Sequence, residues 1–102
     1  MIRKFHSIEV DPEKLAAFCR RHGIHRLSLF GSILGADFRA DSDVDVLLEF
    51  PPGQTPSLME LGGMQVELSE MLGCEVDLKT LGFISPRIRR IVLSEAQVQY
   101  AA

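Results

Sequence analysis

The spacing of apolar residues changes along the chain, and each spacing predicts a different kind of element. Across residues 11–23 apolar side chains recur every three to four positions, which predicts an amphipathic helix. Asp11 followed by Pro12 is typical of a helix N-terminus, and Gly23 is typical of a C-terminal stop. The run RLSLF at residues 26–30 is short and rich in β-favouring residues, which predicts a first strand.

The middle of the chain predicts two further strands with a helix between them. Residues 44–50, VDVLLEF, carry apolar and polar side chains in alternation, as a half-buried strand does. A helix is expected from about 57 to 72, although Gly62 and Gly63 inside it each cost roughly 1 kcal/mol relative to alanine. Residues 74–80, CEVDLKT, alternate again and predict a third strand.

The pair Ser85 and Pro86 predicts the start of a last helix, because a capping hydroxyl is followed by a residue suited to the first turn. Its apolar positions are expected to form a buried stripe, which consists of Ile88, Ile91 and Val92. The chain beyond this helix is left unassigned. The alternation of helices and strands predicts an α+β or α/β fold with about three strands and at least three helices.

Composition limits the possible functions. A chain of 102 residues has the length of one domain, so residues 1–102 are expected to form a single unit. The net charge of -3 and a pI near 5.5 argue against nucleic acid as a stable direct ligand. Cys19 and Cys74 lack a paired spacing, which indicates reduced thiols and a cytoplasmic location. No apolar run has the length of a membrane span, and the polar N-terminus does not resemble a secretory signal.

Two aspartates at the start of the second strand are the first candidates for chemistry. Asp43 and Asp45 are two residues apart, so on a strand they project from one face with Cα atoms roughly 6.5–7 Å apart. Carboxylates at this spacing can bind Mg²⁺, and Asp77 can join them if the third strand is adjacent. An EF-hand calcium loop is excluded, because Val46 and Pro52 occupy its glycine and glutamate positions.

The first strand ends at a Gly-Ser pair that is suited to phosphate. Gly31 lets the backbone approach a ligand closely, and Ser32 offers a hydroxyl and an amide to phosphate oxygens. Such a loop beside metal-binding carboxylates is the arrangement of a nucleotide-dependent phosphoryl or nucleotidyl transfer site.

The spacing of these groups resembles the minimal nucleotidyltransferases, small relatives of DNA polymerase β. Gly31-Ser32, ten residues and then Asp43-x-Asp45 match the family pattern, and the resemblance extends over nearly all 102 residues. It implies a small nucleotidyltransferase fold, with a short mixed sheet of three or four strands flanked by three or more helices. It also implies that Gly31 and Ser32 bind the triphosphate of ATP. By the same resemblance Asp43, Asp45 and Asp77 would be the catalytic carboxylates and would hold Mg²⁺, as two ions.

The resemblance further implies an antitoxin paired with a HEPN-domain toxin, to which it transfers AMP from ATP at a tyrosine hydroxyl. One motif departs from the family: members often read Gly-Ser-Arg-x-Arg-Gly, whereas this loop reads GSILGA. An alternative is therefore an impaired binding module that neutralises its partner by occlusion. A catalytic subunit that acts with a separate substrate-binding chain is a third hypothesis, and a homo-oligomer is compatible with all three.

Overall fold

The computed structural model describes residues 1–102 and contains three α-helices and six β-strands. The helices are α1 (Pro12–His22), α2 (Leu58–Leu72) and α3 (Pro86–Glu95). The strands are β1 (Arg3–Phe5), β2 (Ile8–Val10), β3 (Arg26–Phe30), β4 (Val44–Glu49), β5 (Val76–Thr80) and β6 (Gln97–Ala101). None of the three helices is both long and apolar enough to cross a bilayer.

Four of the strands form one mixed sheet in the order β5-β4-β3-β6. Strand β3 is antiparallel to both β4 and β6, whereas β4 and β5 run parallel with α2 as their crossover. Strands β1 and β2 form a separate antiparallel hairpin. The expected mixed sheet flanked by three helices is confirmed, and the unassigned end of the chain supplies its fourth strand.

The alternation in β4 separates two faces of the sheet. Val44, Val46 and Leu48 have no exposed surface and lie in the main core with apolar side chains of α1 and α2. Asp45 projects from the opposite face, together with Leu47, which is also fully buried. The carboxylate of Asp45 is therefore held at the end of a rigid central strand, next to an apolar neighbour.

Local capping signals determine the ends of α1 and α2. The Asp11 side chain accepts a hydrogen bond from the Glu13 amide, and Gly23 adopts the left-handed conformation with φ of 67°. Ser57 begins α2 with a reciprocal capping box. Both helices are confirmed close to their predicted bounds, and α2 includes its two internal glycines.

Helix α2 also closes the outer edge of the sheet. The Ser69 hydroxyl accepts a hydrogen bond from the Val76 amide at 3.1 Å, and the Gln65 side-chain oxygen accepts one from the Leu78 amide at 3.2 Å. These two amides belong to the edge strand β5. Side chains of α2 thus satisfy donors that an edge strand would otherwise leave open.

The expected buried stripe on α3 is wrong. No residue of α3 is buried: Ile88 and Ile91 are 49% and 54% exposed, and Val92 is only half-buried. The contact that fixes this helix is polar instead, because Arg89 Nε donates to the carbonyls of Leu81 and Ile84 at 2.9 and 3.0 Å. Periodicity identified the helix, but it does not reveal which face meets the rest of the protein.

Candidate active site

Asp45 lies at the centre of the candidate site, directly against Gly31. A Cβ atom on Gly31 would lie 2.2 Å from the Asp45 carboxylate oxygen Oδ2, which is far inside van der Waals contact. Gly31 also has a φ of 77°, a conformation that side chains rarely adopt. Strand pairing explains the proximity, since Phe30 is opposite Asp45 and Gly31 immediately follows it. Glycine is therefore required here on two separate grounds.

The parallel pairing of β4 and β5 places Asp77 directly opposite Asp45. Adjacent strands are about 4.8 Å apart, so the condition under which Asp77 can join the other two aspartates, that the third predicted strand lies beside the second, is met. The Asp77 carboxylate is paired with Lys79, whose ammonium nitrogen lies 3.0 Å from Oδ2. Both side chains remain partly exposed, so this ion pair contributes little to stability.

Asp43 precedes the first residue of β4 and is exposed to solvent. Burial, the nearby charge of Asp77 and the nearby charge of Asp43 together raise the pKa of Asp45 above its usual value, while Lys79 acts in the opposite direction. Of these causes burial is the largest. The ionised form of Asp45 is thus disfavoured, and a cation bound at this face would stabilise it.

The donor set fits a hard divalent cation such as Mg²⁺. Asp43, Asp45 and Asp77 offer only carboxylate oxygens, which are the ligands that Mg²⁺ prefers. No three His, Cys, Asp or Glu side chains converge as metal ligands in their present positions, and Asp77 is directed to Lys79 instead. Binding of one Mg²⁺ by all three carboxylates would therefore require these side chains to move closer together.

The loop after β3 begins with a single 3₁₀ turn, Gly31–Leu34. Ser32 is exposed on this turn next to Gly31, whereas Ile33 is only 2% exposed and belongs to the core. The Gly35 amide closes the turn by donating to the Ser32 carbonyl at 3.0 Å. The first of the two family arginine positions is thus occupied by a core residue, and this turn offers phosphate only backbone amides and a hydroxyl.

Two residues near the site were not predicted from the sequence. Lys79 is two residues after Asp77 on one strand, so its position on the same face was available from strand periodicity. His6 contacts the Ile33 carbonyl through Nε2 at 3.0 Å, although 27 residues separate the two in sequence. No local pattern signals a contact of that range.

The carboxylate face is open. The three cavities in the structure do not include the carboxylates or the Gly-Ser pair among their lining residues. One cavity of about 380 Å³ is lined by Leu78 and Lys79, the two residues that follow Asp77 on β5, together with residues of α2. Sites for small molecules are usually concave, so an open face is better suited to a large acceptor.

Comparisons with known proteins identify the family of this chain. The family model described as "Nucleotidyltransferase domain" matches residues 12–98. The "Putative protein adenylyltransferase MJ0435" of Methanocaldococcus jannaschii is 39% identical over 81% of this chain and 87% of its own length. The "Protein adenylyltransferase MntA" of Thermococcus cleftensis is 33% identical over 74% of each chain.

The fold also matches a solved toxin–antitoxin complex, that of a tri-AMPylated Shewanella oneidensis HEPN toxin with an MNT antitoxin. The TM-score is 0.65 at 19% identity, covering 89% of this chain and 70% of the other. At that identity the match concerns the fold alone. The family match over residues 12–98 covers most of the chain and includes the Gly-Ser pair and all three aspartates. The chain therefore belongs to the nucleotidyltransferase domain family, as one of its minimal members and as an enzyme.

Proposed function

We propose that this protein is an adenylyltransferase that uses Mg²⁺ and ATP to transfer AMP to a tyrosine hydroxyl of a HEPN-domain toxin. The observation that carries the proposal is the contact between Gly31 and Asp45. The connection between β3 and β4, which begins at Gly31 and Ser32 and is called the phosphate loop below, here lies against a half-buried carboxylate because Gly31 has no Cβ. The names of the relatives support adenylyl transfer, and the HEPN–MNT complex supports the class of partner.

Each candidate residue has a role in this proposal. Gly31 and Ser32 bind triphosphate oxygens through backbone amides and the exposed hydroxyl. Asp43, Asp45 and Asp77 would hold Mg²⁺, which neutralises charge on the phosphates when bound. The acceptor oxygen forms a bond to the α-phosphorus while the bond from that phosphorus to the β-phosphate's bridging oxygen breaks. Pyrophosphate leaves, and the hydroxyl proton passes to Asp77 or to water.

The open carboxylate face supports a protein acceptor. A small acceptor would need an enclosing pocket for recognition, and no cavity of this chain is lined by the three carboxylates. A tyrosine on a partner protein can be positioned by contacts outside the site. The two free cysteines are compatible with action in the cytoplasm, where a toxin partner would be synthesised beside it.

A specific observation favours the second candidate, neutralisation by occlusion without transfer. Lys79 holds the Asp77 carboxylate at 3.0 Å, and the family arginine positions carry Ile33 and Gly35. Both features reduce the groups available for metal and phosphate. Removing electrostatic groups of this kind commonly lowers a rate by about 10²–10³-fold. Occlusion would need only the binding surface and not the carboxylates.

Intact-mass spectrometry of the co-expressed toxin distinguishes adenylyl transfer from neutralisation by occlusion. With the wild-type protein and ATP we expect a toxin heavier by one or more AMP units. An Asp43→Asn, Asp45→Asn double variant should give an unmodified toxin and fail to protect cells. The matched control is Asp37→Asn, Asp41→Asn, which removes the same charge from exposed positions of the connection that precedes β4. A toxin that stays unmodified yet is fully neutralised by the wild type would refute adenylyl transfer and favour occlusion.

A further inference from the structure

The N-terminal hairpin contacts the phosphate loop although it is separate from the main sheet. Strands β1 and β2 pair only with each other, and they precede residues 12–98, where the family model matches. Ile8 and Val10 anchor the hairpin in the core. At the other strand, Arg3 donates hydrogen bonds to the main-chain and side-chain oxygens of Gln99. The hairpin is thus fixed to the body of the protein on both sides of its turn.

His6, in that turn, makes two contacts with one loop. Its Nε2 lies 3.0 Å from the Ile33 carbonyl, to which a protonated Nε2 donates a hydrogen bond. Its ring stacks on Phe38, with centroids 4.9 Å apart and an interplanar angle of 23°. Ile33 and Phe38 both lie in the connection between β3 and β4, which also contains Gly31 and Ser32. One side chain therefore links two points of the phosphate loop.

The backbone of His6 is unusual in a way that matches these contacts. His6 has a φ of 59°, and it is the only residue other than glycine with a positive φ in this chain. The pairing of Phe5 with Ile8 leaves only His6 and Ser7 in the hairpin turn, and such tight turns require a positive φ at their first residue. The turn therefore sets this conformation, and it directs the imidazole towards the loop.

The composition of the loop makes this support important. Without the family arginines, the Gly31–Leu34 turn can bind phosphate only through backbone amides and the Ser32 hydroxyl, and the loop's one cation, Arg39, is exposed seven residues after Ser32. Ordering a mobile loop when the ligand binds costs free energy, which weakens binding. Amides that are already held in place do not incur this cost. The loop closes on itself at its two ends, through the Gly35 amide on the Ser32 carbonyl and through reciprocal hydrogen bonds between Arg39 and Ser42. The contacts of His6 with Ile33 and Phe38 add order between those two closures.

We infer that His6 is a positioning residue: the N-terminal hairpin clamps the phosphate loop through His6 and orders it for a triphosphate. The inference rests on the proposed use of ATP and adds an element beyond the family-matched segment. It assigns His6 no contact with the reacting atoms. Its action passes through Ile33 and Phe38 to the adjoining Gly-Ser pair.

Two variants separate the imidazole contacts from the backbone strain. His6→Asn retains a residue that tolerates the left-handed conformation but removes the stacked ring. His6→Ala removes the ring and also disfavours that conformation. The matched control is His25→Ala, because His25 is exposed and its side chain makes no hydrogen bond or ring contact. Hydrogen exchange of residues 31–38 without ligand, and calorimetric titration with Mg·ATP, are measured well below each variant's melting temperature.

Both His6 variants should exchange loop amides faster and bind Mg·ATP about tenfold more weakly, while His25→Ala matches the wild type. In transfer assays the KM for ATP should rise with little change in kcat, because the carboxylates are untouched. A His6→Asn variant with wild-type loop exchange and wild-type affinity would overturn the inference. A wild-type protein that does not bind Mg·ATP would refute the proposed function instead. Hydrogen exchange of residues 31–38 without ligand would then still test whether His6 orders the loop.

Discussion

At the scale of single residues, the contact between Gly31 and Asp45 limits what the site tolerates. Gly31→Ala should lower the free energy of unfolding by about 1–3 kcal/mol, because the new Cβ meets Asp45 Oδ2 and the φ of 77° is strained. It should also abolish Mg·ATP binding by displacing the carboxylate. Urea unfolding and calorimetry measure the two effects.

Gly35→Ala is the matched control for that substitution. Gly35 lies in the same loop with a φ of −107°, and its added Cβ would meet only the Ser32 carbonyl at an ordinary 3.6 Å. The Gly35→Ala variant should have an unchanged or slightly higher free energy of unfolding than the wild type. If Gly31→Ala has the same stability and the same Mg·ATP affinity as Gly35→Ala, then Gly31 does not lie against the Asp45 carboxylate.

The charge of Asp45 gives a second prediction at this scale. Its pKa is raised in the folded protein, so in metal-free buffer the contribution of this group to stability falls as pH rises through that pKa. Asp45→Asn removes the unfavourable ionised group and should be more stable than the wild type at pH 7. The difference should shrink as pH falls and the wild-type carboxyl becomes protonated.

Thermal melting of both proteins in EDTA across pH 4 to 7 checks this expectation. Comparing the two proteins is necessary because Glu67, whose pKa is lowered by Arg21 and His22, destabilises the fold on acidification in both. An Asp45→Asn variant that is less stable than the wild type at pH 7 without metal would mean that the carboxylate is a structural group.

At the scale of elements, helix α2 combines two kinds of glycine that differ only in backbone conformation. Gly63 lies inside the helix and Gly73 caps it with a φ of 71°, and an added Cβ would meet no atom within 4 Å at either position. Gly63→Ala should therefore stabilise the protein by up to about 1 kcal/mol through helix propensity. Gly73→Ala should destabilise it by about 1–2 kcal/mol through left-handed strain.

Equilibrium urea unfolding of the two variants measures both changes against the wild type. Opposite signs are the expected result. Changes of the same sign would show that α2 does not run unbroken through its glycines, or that it does not end in the left-handed cap.

The elements also show which parts of the fold could be predicted from sequence. Helices α1 and α2 begin at side chains that satisfy backbone groups within one turn. These capping signals are local in sequence, so the bounds of both helices could be predicted. The strands of the hairpin are only three residues long and carry no period of their own, and β6 lies at the end of the sequence, where only its pairing with β3 identifies it as part of the sheet. Ile88 and Ile91 are exposed because α3 does not bury its apolar face against the body of the protein, and helical periodicity does not encode which face of a helix is packed.

At the scale of the whole molecule, the candidate site depends on strand order. The spacing of Asp43 and Asp45 was sufficient to predict a shared face, but the position of Asp77 depended on β5 pairing with β4. Lys79 lies two residues after Asp77 on the same strand, so its place on that face follows from strand periodicity, whereas only long-range packing brings His6 to the phosphate loop. The carboxylates and the cation beside them could thus be located from sequence, but the imidazole could not.

The closure of the sheet edges has a consequence for how the protein behaves at high concentration. Open edge strands recruit strands from other molecules and seed aggregation. Here side chains of α2 occupy two amides of β5, and Arg3 occupies a carbonyl of β6. The strand β6, with the sequence QVQYA, carries no charge of its own to deter such pairing. Loss of the hairpin would therefore leave a neutral, β-favouring edge uncovered and make the protein prone to intermolecular strand addition.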